Sequence, residues 1–122
     1  MYQYFNPNPL GRSVDDGVIR ALCKATGQRW DDVLLDLFVS AYNLADVPTS
    51  SEVWGAYLKD NSFKQFLISE EKTVKEFCEL NSNGEYIVVT PSHAVYILDG
   101  NYYDEWDSGE EEVSYFFRRD NV

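Results

Sequence analysis

The chain holds one histidine, His93, placed after Pro91-Ser92 at the head of an apolar run, Ala94-Val-Tyr-Ile-Leu. An imidazole is the side chain best suited to moving a proton near neutral pH, although a lone histidine is more often a structural hydrogen-bonder than a base. The surroundings favour chemistry. Asp99-Gly100 is a two-residue turn signal, so Leu98 should face Asn101 and, counting back, His93 should stand opposite Trp106. Asp104 then shares a face with His93, one diagonal step away. Asp107 points to the other face unless a bulge intervenes. An imidazole held by a carboxylate from the next strand is the base-and-orienter half of a nucleophilic triad. The blander reading makes Asp104 a solvated edge residue and His93 a half-buried hydrogen-bonder.

The other half of such a site is a nucleophile, best presented at a helix N-terminus. There the dipole lowers a thiol pKa and free N–H groups can hold an oxyanion. The first helical pattern opens at Asp16-Gly17-Val18, and Gly17 stands where that nucleophile would. Glycine early in a helix costs about 0.5–1 kcal/mol against alanine, so helix stability does not explain it. It has no side chain to attack with.

The elements that must position these residues are legible in the periodicity. Residues 1 to 12, with Pro7, Pro9 and Gly11, read as an extended lead-in. Ser13 or Asp15 can cap a helix through Val18, Ile19, Leu22 and Ala25 that ends at Gly27. A second helix is expected from about Trp30 to Leu44, burying Trp30, Val33, Leu34, Leu37, Phe38 and Ala41. Ser50 or Ser51 starts a third, Glu52 to Lys59, and Thr73 caps a fourth. Phe63 to Ile68 suits a strand. After Asn83-Gly84 the period changes, and Tyr86-Ile-Val-Val, Ala94 to Leu98, Asn101-Tyr-Tyr and Val113 to Phe117 read as four strands. Helices first and a mostly antiparallel sheet second predict an α+β fold, in one domain spanning residues 1–122.

Composition narrows the function classes. With 44% hydrophobic residues in 122, there is enough apolar side chain for one core. Ten basic against twenty-one acidic residues leave a net charge of −11, which argues against nucleic acid or an anionic membrane as partner and for a basic one. Six carboxylates and no Lys or Arg lie between Asn101 and Phe117. That cluster suits either plain solubility or a mimic of nucleic-acid phosphates. Cys23 and Cys78 both sit in helix-like apolar patterns, which reads as buried free thiols and a reducing, cytoplasmic home. One His and two distant Cys are no zinc ligand set, and no cofactor motif occurs, so neither metal nor cofactor is expected.

Two stretches carry a family resemblance. The segment from Asn6-Pro-Asn-Pro-Leu-Gly-Arg-Ser-Val-Asp-Asp-Gly-Val-Ile-Arg-Ala to Trp30-Asp-Asp-Val resembles the opening of small papain-like cysteine peptidase domains found in phages and prophages. In that family the motif runs Gly-Asp-Cys-Val-Ile-Arg-Ala. Val53-Trp-Gly-Ala-Tyr-Leu and the tail Ser92-His-Ala-Val-Tyr-Ile-Leu-Asp-Gly-Asn-Tyr-Tyr-Asp-Glu-Trp-Asp-Ser-Gly continue it over essentially the whole chain.

The resemblance implies a papain-like fold, a central helix packed on an antiparallel sheet with the cleft between them. His93 would be the general base, with Asp104 or Asp107 as its orienter. Asn8 would be the oxyanion donor, partnered by the N–H of Gly17 or Val18. The departure is Gly17 in the cysteine's place, by natural loss or by deliberate replacement. Cys23, nearly two turns further on, is no substitute. Because the family places cysteine here, Gly17→Cys is expected to fit beside His93. Two functions are then open: an inactive hydrolase scaffold built for a peptide or related acyl bond, or a protein-binding module, such as a phage-encoded inhibitor of host machinery in the host cytoplasm.

Overall fold

The computed structural model describes residues 1–120, and in them the two periodicities sort into layers. Strand β1 (Tyr2–Tyr4) leads into helices α1 (Gly17–Thr26), α2 (Trp30–Leu44) and α3 (Ser51–Asp60). Strand β2 (Phe63–Leu67) and helix α4 (Val74–Leu80) precede β3 (Glu85–Val89), β4 (Ala94–Leu98), β5 (Asn101–Asp104) and β6 (Tyr115–Arg119). The fold is α+β, with four helices and one open six-stranded mixed sheet in the order β1-β5-β4-β3-β6-β2.

Why the strands read as continuous apolar runs is visible in the core. All five residues of β3 are buried, because both faces of the sheet are covered. Ile87, Val89, Ala94, Tyr96 and Phe117 pack with Leu22 of α1, Leu37 of α2 and Leu58 of α3. Their neighbours Tyr86, Val88, Val95, Ile97 and Tyr102 point the other way, onto Phe77 and Cys78 of α4. The period-2 alternation thus serves two cores rather than a core and solvent.

Turn chemistry sets the register that matters for the site. Asp99 and Gly100 both have positive φ, 49° and 79°, the left-handed pair a tight two-residue hairpin requires. Leu98 accordingly pairs with Asn101, Ile97 with Tyr102 and Tyr96 with Tyr103. At α4, Thr73 Oγ1 accepts from the Glu76 N–H at 3.2 Å, and the Thr73 N–H donates to Glu76 Oε1 at 2.9 Å. Thr73→Ala removes one arm of this box, and urea denaturation should show a loss of about 1 kcal/mol.

Several expectations need correction. Residues 2–4 are not a plain lead-in but a strand parallel to β5, which makes the sheet mixed. Helix α1 begins at Gly17, where the pattern opens, but its N-cap is Asp16 rather than Ser13 or Asp15, and Asp16 makes no side-chain cap bond because its carboxylate is engaged elsewhere. The last strand starts at Tyr115, since the Val113 N–H is drawn to the Lys72 carbonyl. Phe38 lies outside the core, 52% exposed.

Candidate functional site

The site forms where the N-terminus of α1 meets the start of β4 and the end of β5. Helix α1 lays Ala21, Leu22 and Ala25 on the sheet, and that packing brings Gly17 against His93, the residue just before β4. His93 is buried, 8% exposed, and its ring lies 4.6 Å from that of Trp106, the residue the hairpin count set opposite it. Nε2 is 2.6 Å from Asp104 Oδ2. Asp104, rather than Asp107, is therefore the carboxylate on the imidazole. Asp107 accepts instead from the Tyr102 hydroxyl and from the Gly109 N–H at 3.0 Å.

Asp104 is 1% exposed and receives four donors. Besides His93, the Ser108 hydroxyl donates to Oδ2 at 2.6 Å, Arg20 Nη2 to Oδ1 at 2.9 Å, and the Glu105 N–H to Oδ1 at 2.7 Å. Burial alone would raise its pKa. The hydrogen bonds from His93, Ser108 and the Glu105 backbone outweigh that and hold the carboxyl below its usual range. The group is an anion across the neutral range.

Arg20 is the hub that the sequence reading passed over. It is 3% exposed and bridges the Asp16 carboxylate, Asp104 Oδ1 and, at 3.3 Å, Glu105 Oε2. Trp30 Nε1 donates to the second Asp16 oxygen at 2.7 Å, which is why Asp16 does not cap its helix. A signal was available: Arg20 is a lone cation amid Val18, Ile19, Ala21 and Leu22, one helical turn beyond Gly17 on the same side. Ser92, Thr90 and Glu111 complete the far side. Ser92 Oγ is 2.8 Å from His93 Nδ1 and 2.5 Å from Glu111 Oε1, and Thr90 Oγ1 donates to the same Glu111 oxygen at 3.0 Å.

Chemically, the imidazole is clamped at both nitrogens, by Asp104 on one side and Ser92 on the other. The Ser92 hydroxyl has one proton and three acceptors in reach, Glu111 Oε1, His93 Nδ1 and Thr90 Oγ1, and the closest is the Glu111 carboxylate. That geometry ties the loop before β4 to the acidic segment after β5. It does not hand the serine's proton to His93.

Position 17 presents no opening. A Cβ built on Gly17 would stand 2.6 Å from His93 Cβ and 3.1 Å from Cδ2, closer than real side chains approach. The contact is with the root of the imidazole side chain, not a movable tip, so the expected room for a cysteine is absent. The ring edge facing Gly17 is Cδ2, and Nδ1 faces Ser92. Asn8 is also reassigned. Its amide oxygen accepts from the N–H groups of Leu10 and Arg12 and closes a local turn, and Asn8 is not among the residues lining the cavity beside His93.

The two thiols stay inert. Burial pushes Cys23 up to about 12, with Asp16 and Asp31 adding to it, and Cys78 to about 11, where the N-terminal ammonium pulls down more than Glu79 pushes up. No helix among the described residues is long and apolar enough to cross a membrane. Set against protein-family models, curated proteins and solved structures, the chain matches none.

Proposed function

We propose that this chain is a papain-like hydrolase scaffold without acyl-transfer chemistry, working as a protein-binding module. The observation that carries the reading is the closure at Gly17, where His93 packs into the volume a nucleophile's Cβ would need. A scaffold that had merely lost its thiol would leave that volume open and a ring nitrogen aimed at it. Here one nitrogen is held by Asp104 and the other faces Ser92, away from Gly17. The helix-on-sheet packing of α1 against β4 and the order of His93 and Asp104 along the chain support the hydrolase ancestry.

The test is Gly17→Cys, assayed beside the unaltered chain. The unaltered chain should show no peptidase or esterase turnover above background. The variant should be destabilised by about 1–3 kcal/mol, the usual result of forcing atoms into a filled site. Its new thiol should react with iodoacetamide no faster than an ordinary cysteine of pKa about 8.5. A variant of undiminished stability, whose thiol reacts rapidly near neutral pH and slows on His93→Ala, would show a latent catalytic cleft and end the binding-module reading.

A further inference from the structure

Helix α2 carries two apolar stripes where a surface helix needs one. Val33, Leu37 and Ala41 are buried against the body of the protein. Leu35, Phe38, Val39 and Tyr42, spaced i, i+3, i+4 and i+7, are 62%, 52%, 60% and 86% exposed. A surface helix with a polar face needs one apolar stripe, and a second row of this length left in water marks an interaction face.

Phe38, Val39 and Tyr42 of this row, with Leu35 extending the apolar surface beyond them, line a groove in two lobes that share Phe38 and Pro48. One, of about 520 Å³, runs along Tyr42 and Val47, and the other, of about 430 Å³, runs from Phe38 to Ser92 and His93. Both are walled mainly by apolar side chains, and neither is lined by a Lys or Arg, whereas Asp46 lines the first and Asp15 and Asp16 the second. Asp16 is committed to Arg20, whereas Asp15 is exposed and has no ion-pair partner among the described residues. Helix α2 itself opens with Asp31 and Asp32 and has no basic residue in its last turn. An apolar floor with acid at both ends calls for an apolar ligand with positive charge at both ends.

We propose that this groove docks a basic amphipathic helix of a partner protein, its apolar row laid against Leu35, Phe38, Val39 and Tyr42 and its Lys or Arg side chains reaching Asp15 and Asp46. The proposal rests on the reading of the chain as a binding module and names that module's partner class. Helix-on-helix docking follows from the spacing, since rows at i, i+3, i+4 and i+7 mesh with a like row on a facing helix. A second copy of this chain is the poorer occupant: each carries a net charge of −11, and pairing α2 with itself would bring acidic ends together.

The experiment uses fluorescence anisotropy of the full chain with two helix-forming peptides of about 16 residues. One has Leu at i, i+3, i+4 and i+7 and Lys on its flanks, and its twin has every Lys replaced by Glu. The Lys peptide should bind at least about tenfold more tightly than the Glu twin. Its affinity should fall as salt rises through about 0.1 M, where charges are screened beyond roughly 10 Å. Phe38→Asp and Tyr42→Glu change exposed side chains and should leave the circular dichroism unaltered while weakening binding at least about tenfold each. Equal binding of the two peptides, or binding indifferent to both variants, overturns the proposal. So does concentration-dependent dimerisation that Phe38→Asp abolishes, which would make a second copy the occupant, or adsorption to phosphatidylcholine–phosphatidylserine vesicles that it abolishes. A chain without turnover and with an unactivated thiol in Gly17→Cys, yet blind to the Lys peptide, loses this partner and keeps the scaffold reading.

Discussion

Replacing Arg20 with alanine is expected to cost about 3–5 kcal/mol, the usual penalty for leaving buried charge without its partner. Three carboxylates, those of Asp16, Asp104 and Glu105, converge on this one guanidinium, and the first two are almost wholly buried with it. Remove the cation, and Asp16 keeps one donor, Trp30, while Asp104 and its neighbours face one another across a site with less positive charge. Arg20→Lys should recover only part of the loss, because a single ammonium cannot present the planar fork that reaches three acceptors. Urea denaturation at neutral pH measures both variants. The deficit of Arg20→Ala should shrink at acid pH, as Asp104 takes up a proton and no longer needs the cation. A neutral-pH loss below about 1 kcal/mol would mean that water or rearrangement replaces the guanidinium, in the manner of a surface ion pair.

The second large effect belongs to Asp104→Asn. The amide keeps the shape but withdraws the anion that His93, Arg20 and Ser108 all address, and it turns one acceptor oxygen into a donor facing donors. A loss of roughly 3 kcal/mol at neutral pH is expected. The pH dependence follows from the sign of the shift. Asp104 has a lowered pKa in the folded chain, so its contribution is complete above the unfolded carboxylate value of about 3.9 and disappears as pH falls through the folded value. The unaltered chain should therefore lose stability steeply below about pH 4, and the Asn variant, already weakened, should show a shallower acid limb. The two curves converge at the acid end. Parallel curves would show that the hydrogen bonds to Asp104 do not depend on its charge.

These two variants separate structure from docking. Both act inside the site, at residues that the α2 groove does not use. A chain weakened by Arg20→Ala but still folded should bind the basic helix no less tightly, since Asp16 in the groove wall loses its internal cation, whereas Phe38→Asp should leave the acid limb untouched.

Local chemistry was legible in the sequence wherever a few adjacent residues decide the outcome. Asp99-Gly100 dictated a tight hairpin because only left-handed backbone closes it. The register from Leu98 and Asn101 then carried His93 to Trp106 and Asp104 by counting alone. The 3.6-residue recurrence from Trp30 to Leu44 placed α2 to the residue, and Thr73 announced the cap of α4. Even so, the same recurrence could not tell which of two apolar stripes on α2 faces inward. Phe38 was expected inside because hydrophobicity has a period but no address.

What only the tertiary structure decided are the encounters between distant segments. Strand β1 exists because Tyr2 to Tyr4 find the edge of β5 about a hundred residues later, a pairing with no local signal in a proline-flanked lead-in. Arg20 reads as an ordinary helical residue until three carboxylates from two parts of the chain close on it. Gly17 is the sharpest case. Its type alone said that no nucleophile is present, but the meaning of the absence lay in what stands beside it. A glycine with empty space next to it and a glycine with the His93 Cβ 2.6 Å from its missing Cβ are the same letter in the sequence. Only packing, which is a property of volume in three dimensions, distinguishes an open site from a closed one.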